Sequence, residues 1–157
     1  DTKDRGHSSK DVDQSIENRK IDSERYIKNQ SEFSDLIFSL KPVNRLEKEL
    51  KPEDVKLRLE IIFKNGLYDY NLVRTLISVC GLEVDMETLN EGKDQEIKLL
   101  IDGDTDKDDI SIAISMLCPE TIEFLDLNPK WHSGMNGVIQ LIVMTHINQA
   151  LKKRFLK

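Results

Sequence analysis

The apolar segment near the end of the chain limits the folds that this sequence can adopt. A helix capped by Ser133 or Asn136 and running to about Phe155 would have little polar face, because its apolar residues are Val138, Ile139, Leu141, Ile142, Val143, Met144 and Ile147. A helix that is apolar nearly all round belongs in the centre of a bundle. The longest apolar run is far shorter than the roughly 20 residues that cross a bilayer, so no membrane partner is expected.

Two neighbouring segments upstream show helical spacing of apolar residues. Pro52 fits the first turn of a helix that ends at Asn65-Gly66, and its buried stripe would comprise Val55, Leu59, Ile62 and Phe63. Asp69 can cap a following helix that Gly81 ends, with a stripe comprising Leu72, Val73, Leu76, Ile77 and Cys80. The short connection between them predicts an antiparallel helical hairpin.

Other helix signals flank this hairpin. Ser31 can cap a helix that Pro42 stops, and a short helix can follow Asp85. Residues 95–101 fit a helix or a strand. Residues 110–118 begin with a period of two but then break it, which slightly favours a helix over a strand. Pro119 starts a further short helix through Leu125. The fold class predicted for residues 31–157 is therefore mainly α, a compact multi-helix bundle of about six to seven helices.

Residues 1–30 have a different composition. Their few large apolar side chains are separated by alternating charges and by Ser, Asp and Asn. Such a segment buries too little apolar surface to offset its ordering entropy. We expect a polar, flexible and disordered N-terminal leader here, and we expect the chain to be the terminal domain of a larger protein.

The charges are unevenly distributed along the chain, and the cysteines indicate the cellular compartment. Residues 83–109 carry eleven Asp/Glu against three Lys, whereas residues 130–157 carry four Lys and one Arg and no acid. Cys80 and Cys118 each lie in an apolar run, which is typical of reduced core thiols rather than of a disulfide framework. We therefore expect an intracellular protein, in the nucleus or the cytoplasm. Oligomeric state cannot be predicted.

The sequence contains no complete motif for catalysis, metal binding or phosphate binding. The acidic loop Asp102–Asp109 has Asp at alternate positions as in a calcium loop, but Lys107 replaces the glycine that the turn requires, and Ala113 replaces the final Glu. The loop's carboxylates can instead cap the next helix. A weak cation-binding site is the alternative interpretation of this loop. Ligand pairs with zinc spacing, a motif for thiol catalysis and a phosphate loop are all missing. We expect no enzyme activity, no cofactor and no metal.

The prediction that follows is a non-enzymatic helical protein-protein interaction or regulatory module. Its partner would be an amphipathic helix or peptide held in the groove between the two hairpin helices. The acidic region 83–109, which could meet a basic partner, is the second candidate surface. The candidate partner-binding residues are Val55, Leu59, Ile62, Phe63, Leu72, Leu76 and Trp131. The alternative is a domain of a chromatin, transcription or viral replication assembly. Direct nucleic-acid binding is not expected, because the only basic cluster, Lys152-Lys153-Arg154 with Lys157, also complements a helix dipole.

Overall fold

The computed structural model describes residues 30–43, 55–64, 69–90, 95–124 and 129–155. Residues 1–35 and residues 36–157 form two separate units. In the first unit, a turn of 3-10 helix spans Ser31–Phe33, and both the N–H and the hydroxyl of Ser34 donate to the carbonyl of Ser31. The predicted leader, residues 1–30, lies outside the described residues except for Gln30.

The second unit is a four-stranded antiparallel sheet with helices. Its described elements are β1 (Leu36–Pro42), β2 (Leu57–Phe63), α1 (Tyr70–Ser78), β3 (Glu83–Asn90), β4 (Glu96–Asp102), α2 (Lys107–Leu117), α3 (Pro119–Phe124) and α4 (Gly134–Phe155). The strand order is β1-β2-β4-β3, so β1 and β3 are the edge strands of this sheet. The predicted bundle of six to seven helices is therefore wrong for the described residues, which contain four strands and four α-helices.

Strand β2 accounts for the largest part of this error. Leu59, Ile61 and Phe63 are buried, whereas Arg58 and Glu60 between them lie on the opposite face. Side chains of a strand alternate between faces, which is a period of two. The same stretch also contains apolar residues at helical spacing, and this coincidence produced the helix prediction for residues 52–66. Because β2 takes the place of the first hairpin helix, the groove predicted between that helix and α1 does not form.

Two other segments also differ from the helical expectation, and a third is settled as a strand. The helix predicted after Ser31 is limited to the 3-10 turn, and β1 follows it. The short helix predicted after Asp85 is part of β3. Residues 95–101, for which helix and strand were both open, belong almost entirely to β4, whose buried positions alternate.

The helices that carry their own caps form where they were expected. The carboxylate of Asp69 accepts the N–H of Asn71 at the start of α1 (2.8 Å), and Asp106 accepts the N–H groups of Asp108 and Asp109 at the start of α2. Residues 110–118 are helical up to Leu117. These carboxylates satisfy N–H groups that have no partner inside the helix, which fixes where each helix begins.

One face of the sheet and the inner sides of the helices enclose the core. The sheet contributes the alternate residues of β2 and β4, and each of α1, α2 and α4 contributes an apolar side. The completely buried large side chains are Leu59, Ile61, Leu72, Leu76, Leu99, Ile101, Ile110, Ile114, Val138, Leu141 and Ile142. Helix α4 thus packs against both the sheet and α2, which explains why so much of it is apolar.

The other face of the sheet carries charged residues that pair across strands. Lys41 pairs with Glu60, Arg58 with Asp102, and Lys98 with Glu87 at 3.4 Å. On the same face, edge strand β3 presents Glu83, Asp85 and Glu87, all exposed. The face therefore changes from partly basic near β1 to acidic at β3. In the described part of the chain, no helix has the length and apolarity needed to cross a membrane.

Candidate functional site

A cleft with a volume of about 670 Å³ lies at one end of the sheet. It forms where the start of β2, the end of β4 and the start of α4 meet. Its charged and turn residues are Lys56, Arg58, Glu83, Asp102, Gly103 and Asp104. Apolar side chains complete its wall, including those of Val55, Leu57 and Met135. Clefts of this size bind small molecules in many proteins.

An ion pair between β2 and β4 fixes the charges at the base of the cleft. The Nε of Arg58 donates to both carboxylate oxygens of Asp102, at 2.9 and 2.8 Å, and Nη2 lies 2.6 Å from Oδ2. The hydrogen bond with Asp102, together with the negative charge of that residue, raises the pKa of Arg58 above its ordinary value. Arg58 is therefore a permanent cation whose guanidinium is held in one orientation.

A tight turn after β4 shapes the second side of the cleft. Gly103 has φ +114°, and a Cβ there would lie 3.2 Å from Cδ2 of Leu82. The next residue, Asp104, accepts the N–H of Thr105 at 3.0 Å, and the carbonyl of Thr105 accepts the N–H of Gly134 at 2.7 Å. The turn therefore ties the end of the sheet to the start of α4 and holds the carboxylate of Asp104 at the cleft.

The cleft contains charges of both signs. Asp102 is neutralised by Arg58, but Glu83, Asp104 and Lys56 form no ion pair within the described part of the chain. Glu83 and Lys56 are exposed and can reorient toward a ligand, whereas the carboxylate of Asp104 is held at the cleft by the N–H of Thr105. The arrangement suits a small polar molecule that offers both hydroxyl groups and an anionic group.

The acidic loop Asp102–Asp109 uses its carboxylates within the fold. Asp102 pairs with Arg58, Asp104 accepts the N–H of Thr105, and Asp106 caps α2. Among the residues that the structure describes, no three His, Cys, Asp or Glu side chains are grouped so as to hold a metal ion. The capping role that the sequence suggested for this loop is confirmed at Asp106.

The seven residues predicted to bind a partner do not share a surface. Four of them, Leu59, Phe63, Leu72 and Leu76, are at most 3% exposed inside the core. The others are half-buried and separate: Val55 lines the cleft, Ile62 lies on the opposite face of the sheet, and Trp131 packs against the core near its edge. Three expectations from the sequence stay predictions: that the partner is a helix, that the chain does not contact nucleic acid, and that the protein is intracellular.

Trp131 also borders a shallow recess. This recess of about 360 Å³ lies beside the first turn of α2 and includes Lys107, Asp108 and Lys130. The backbone near the indole is held by Gln140, whose side chain accepts the N–H of His132 at 2.9 Å and donates to the carbonyl of Lys130 at 3.2 Å. These bonds anchor the loop that precedes α4 against the helix.

The two cysteines are free and buried. Burial raises the pKa of Cys80 above its ordinary value. Burial also raises the pKa of Cys118, whose Sγ lies 3.8 Å from Oγ1 of Thr145. Because the thiolate is the nucleophilic form, neither environment favours covalent catalysis by these thiols.

Sequence reasoning did not identify the cleft. Its charged residues come from segments far apart in the chain, and Arg58 meets Asp102 only because β2 and β4 are neighbours in the sheet. The available signal was the pair Asp102-Gly103 directly after the apolar residues Leu99, Leu100 and Ile101, which indicates a turn after a strand. That signal was obscured by the resemblance of the loop to a calcium site.

A family model matches the N-terminal part of the sequence. The model of the Phosphoribulokinase / Uridine kinase family matches residues 1–47, which is less than a third of the 157-residue chain. Of the matched residues, the structure describes 30–43, including β1. No curated protein sequence matches the chain.

This match overturns the functional expectation drawn from the sequence. A kinase-family match conflicts with a non-enzymatic helical interaction or regulatory module, so that prediction is wrong, and so is the prediction that the chain is not an enzyme. Their physical basis was the lack of a complete catalytic motif together with a supposed helical bundle. The bundle is replaced by a sheet with a polar cleft at its end.

Proposed function

We propose that this chain takes part in phosphoryl transfer to a small hydroxyl-bearing acceptor, as a kinase of the kind that the family description names. The observation that carries the proposal is the match of residues 1–47 to the Phosphoribulokinase / Uridine kinase family. The names point to two acceptor classes, a nucleoside and a pentulose phosphate. Both are small and polar, and both present several hydroxyl groups.

The contribution that we assign to residues 36–155 is on the acceptor side of the reaction. The sequence has no G-x-x-x-x-G-K-[ST] loop, the motif that cradles nucleotide phosphates in many kinases. The cleft at the end of the sheet instead offers groups that suit an acceptor. Asp104 can accept a hydrogen bond from a hydroxyl group, and Lys56 can pair with a phosphate.

The electrostatics of the cleft support this assignment. Kinases commonly use a carboxylate to orient the attacking hydroxyl group and to accept its proton. Asp104 and Glu83 are carboxylates of the cleft that form no ion pair with a described residue, whereas Arg58 and Asp102 satisfy each other. The fixed pair forms the base of the site, and the unpaired side chains supply the contacts.

Phosphoryl transfer can be tested directly with the full chain. The chain is incubated with Mg²⁺, ATP and either uridine or ribulose monophosphate, and the products are followed by phosphorus NMR. We expect ADP and a phosphorylated acceptor to appear together, in proportion to the amount of chain. If no phosphorylated acceptor forms at high chain concentration, the kinase proposal fails.

The location of the acceptor is tested separately by binding. Each acceptor is titrated into the nitrogen-15-labelled full chain, and we expect amide shifts at Gly103 and Asp104. Asp104→Asn should weaken binding about tenfold, because a hydrogen bond to a charged group is lost. Asp108→Asn is the matched control, since Asp108 is an exposed aspartate outside the cleft. Equal weakening by both variants would remove the cleft from the proposal.

A further inference from the structure

A second groove, with a volume of about 460 Å³, lies on the helical layer where α1, the end of α2 and the C-terminal half of α4 meet. Its polar residues include Asn71, Arg74, Thr75, Ser78, Gln149 and Lys152. Met135 of the first cleft and Asn148 of this groove are both on α4, 13 positions apart. At 1.5 Å per residue the two sites are separated by about 20 Å, so this groove is distinct from the cleft.

Two cations of this groove are available to a ligand. Arg74 is exposed and forms no ion pair with any residue that the structure describes. Lys152 lies 3.1 Å from Glu120, but the two side chains are 52% and 66% exposed. An exposed pair of this kind contributes little, so Lys152 can turn toward a stronger anion at small cost.

The single carboxylate of the groove, that of Asp69, is already engaged. One of its oxygens accepts the N–H of Asn71 at 2.8 Å, and the other accepts the side-chain amide of Gln149 at 3.1 Å. These bonds hold Asp69 at the N-terminus of α1 and link it to α4. Arg74 lies more than one turn further along α1, so its guanidinium is not neutralised by this carboxylate.

A hydroxyl group in the wall of the groove adds a neutral donor. Thr75 lines the groove and is only 6% exposed, yet none of the hydrogen bonds of the described residues involves its hydroxyl. The threonine at Thr145 and the serine at Ser115 each donate to the carbonyl four residues earlier in their helices. The hydroxyl of Thr75 is therefore available to donate a hydrogen bond to a ligand that enters the groove.

We propose that this groove binds the phosphate group of a small phosphorylated molecule. Arg74 presents a planar fork of N–H donors that matches two phosphate oxygens, Lys152 supplies a second positive charge, and the hydroxyl groups of Thr75 and Ser78 supply neutral donors. The volume leaves room for a small organic group beside the phosphate. The proposal does not depend on phosphoryl transfer or on the cleft at the end of the sheet.

The test is a titration of the nitrogen-15-labelled full chain with inorganic phosphate at constant ionic strength, with NaCl as the balancing salt. We expect saturable amide shifts near Asn71, Thr75 and Gln149. Arg74→Ala should weaken binding at least about tenfold. A titration that gives no saturable shift, or shifts spread evenly over all lysine-rich surfaces, overturns the proposal.

The matched control is on the same helix. Lys152 lines the groove and Lys153 does not, although both are exposed lysines in neighbouring positions of α4. We expect Lys152→Ala to weaken phosphate binding severalfold and Lys153→Ala to leave it unchanged. Equal weakening would mean that net charge alone attracts phosphate, which contradicts a built site. Acetate is the chemical control, and acetate binding as tight as phosphate binding would also overturn the proposal. Circular dichroism of each variant verifies that the fold is retained.

Discussion

Gly137, in the first turn of α4, lies directly against the backbone carbonyl of His132. A Cβ at position 137 would overlap that carbonyl oxygen and would also lie 2.9 Å from Cγ1 of Ile110 in α2. The obstacle on one side is backbone and cannot rotate away. Glycine at this position therefore allows the loop before α4 to pass close to the helix.

We expect Gly137→Ala to destabilise the fold by about 2 to 3 kcal/mol, because overpacking against fixed backbone forces the loop or the helix to shift. Urea denaturation of the purified chain measures the change. Gly81→Ala is the comparison, since Gly81 has φ +66° but no atom within 4 Å of a Cβ. That variant should lose only about 1 to 2 kcal/mol, from backbone strain alone. Equal losses would argue against the overlap at Gly137.

Adjacent isoleucines in β2 test the strand assignment. Ile61 is completely buried in the core, and Ile62 is half-buried on the opposite face of the sheet. Ile61→Ala should lower the free energy of unfolding by about 2 to 5 kcal/mol, since it leaves a cavity. Ile62→Ala should cost clearly less. A larger loss for Ile62→Ala would contradict the register of β2.

Asn148 joins three helices through its side chain. Its Oδ1 accepts the hydroxyl of Thr121 in α3 at 2.7 Å, and its Nδ2 donates to the carbonyl of Leu117 at the end of α2 at 3.1 Å. Asn148→Ala leaves the buried hydroxyl of Thr121 and the part-buried carbonyl of Leu117 without this bond, and it should destabilise the fold by about 1 to 3 kcal/mol. Thermal unfolding measures the loss, and Gln149→Ala, on the same helix, measures the cost of losing a part-exposed bond to Asp69.

The two buried thiols predict a dependence of stability on alkaline pH. Burial raises the folded-state pKa of both Cys80 and Cys118 above the unfolded value, which is about 8.5 for a thiol. Below the unfolded pKa both states hold the proton, so the full stability is present. As pH rises through the unfolded pKa toward the raised one, the unfolded state loses protons first and stability falls.

Urea midpoints at pH 7, 8, 9 and 10 measure this effect, and the decline should begin above about pH 8. Lysine and tyrosine also titrate near the upper end of this range. The double variant C80A/C118A separates their contribution, and we expect its midpoints to fall less steeply than those of the original chain. Identical slopes would show that the thiols do not contribute.

Local rules identified the helices because their signals are short in sequence. Asp69 and Asp106 cap helices through N–H groups two or three residues away, so no knowledge of the rest of the fold is needed. Proline at the start of α3 and the apolar segment of α4 are equally local. Each of these predictions depended on residues within a single element.

The sheet could not be identified in the same way, because its stability comes from pairing between distant segments. Leu59 lies opposite Leu40 in β1 and Ile101 in β4, and neither neighbour is evident from the residues around position 59. In β2 the apolar residues fit both a period of two and helical spacing. Tertiary packing decided between the two, as it commonly does for short apolar runs.

The cleft was still harder to predict, since it depends on the sheet. Once β2 and β4 are placed side by side, Arg58 faces Asp102 and the turn at Gly103 follows. Before that, the same aspartate is only one of several in an acidic stretch. An error in one strand therefore concealed the whole site.

The acidic row of β3 has a consequence for how copies of this chain meet in concentrated solution. An edge strand presents unpaired backbone groups that can recruit an identical strand and start aggregation. Here Glu83, Asp85 and Glu87 bring like charges together whenever two such edges approach. High salt screens this repulsion, so the chain should aggregate more readily as ionic strength rises. This is the reverse of proteins that dissolve better in salt.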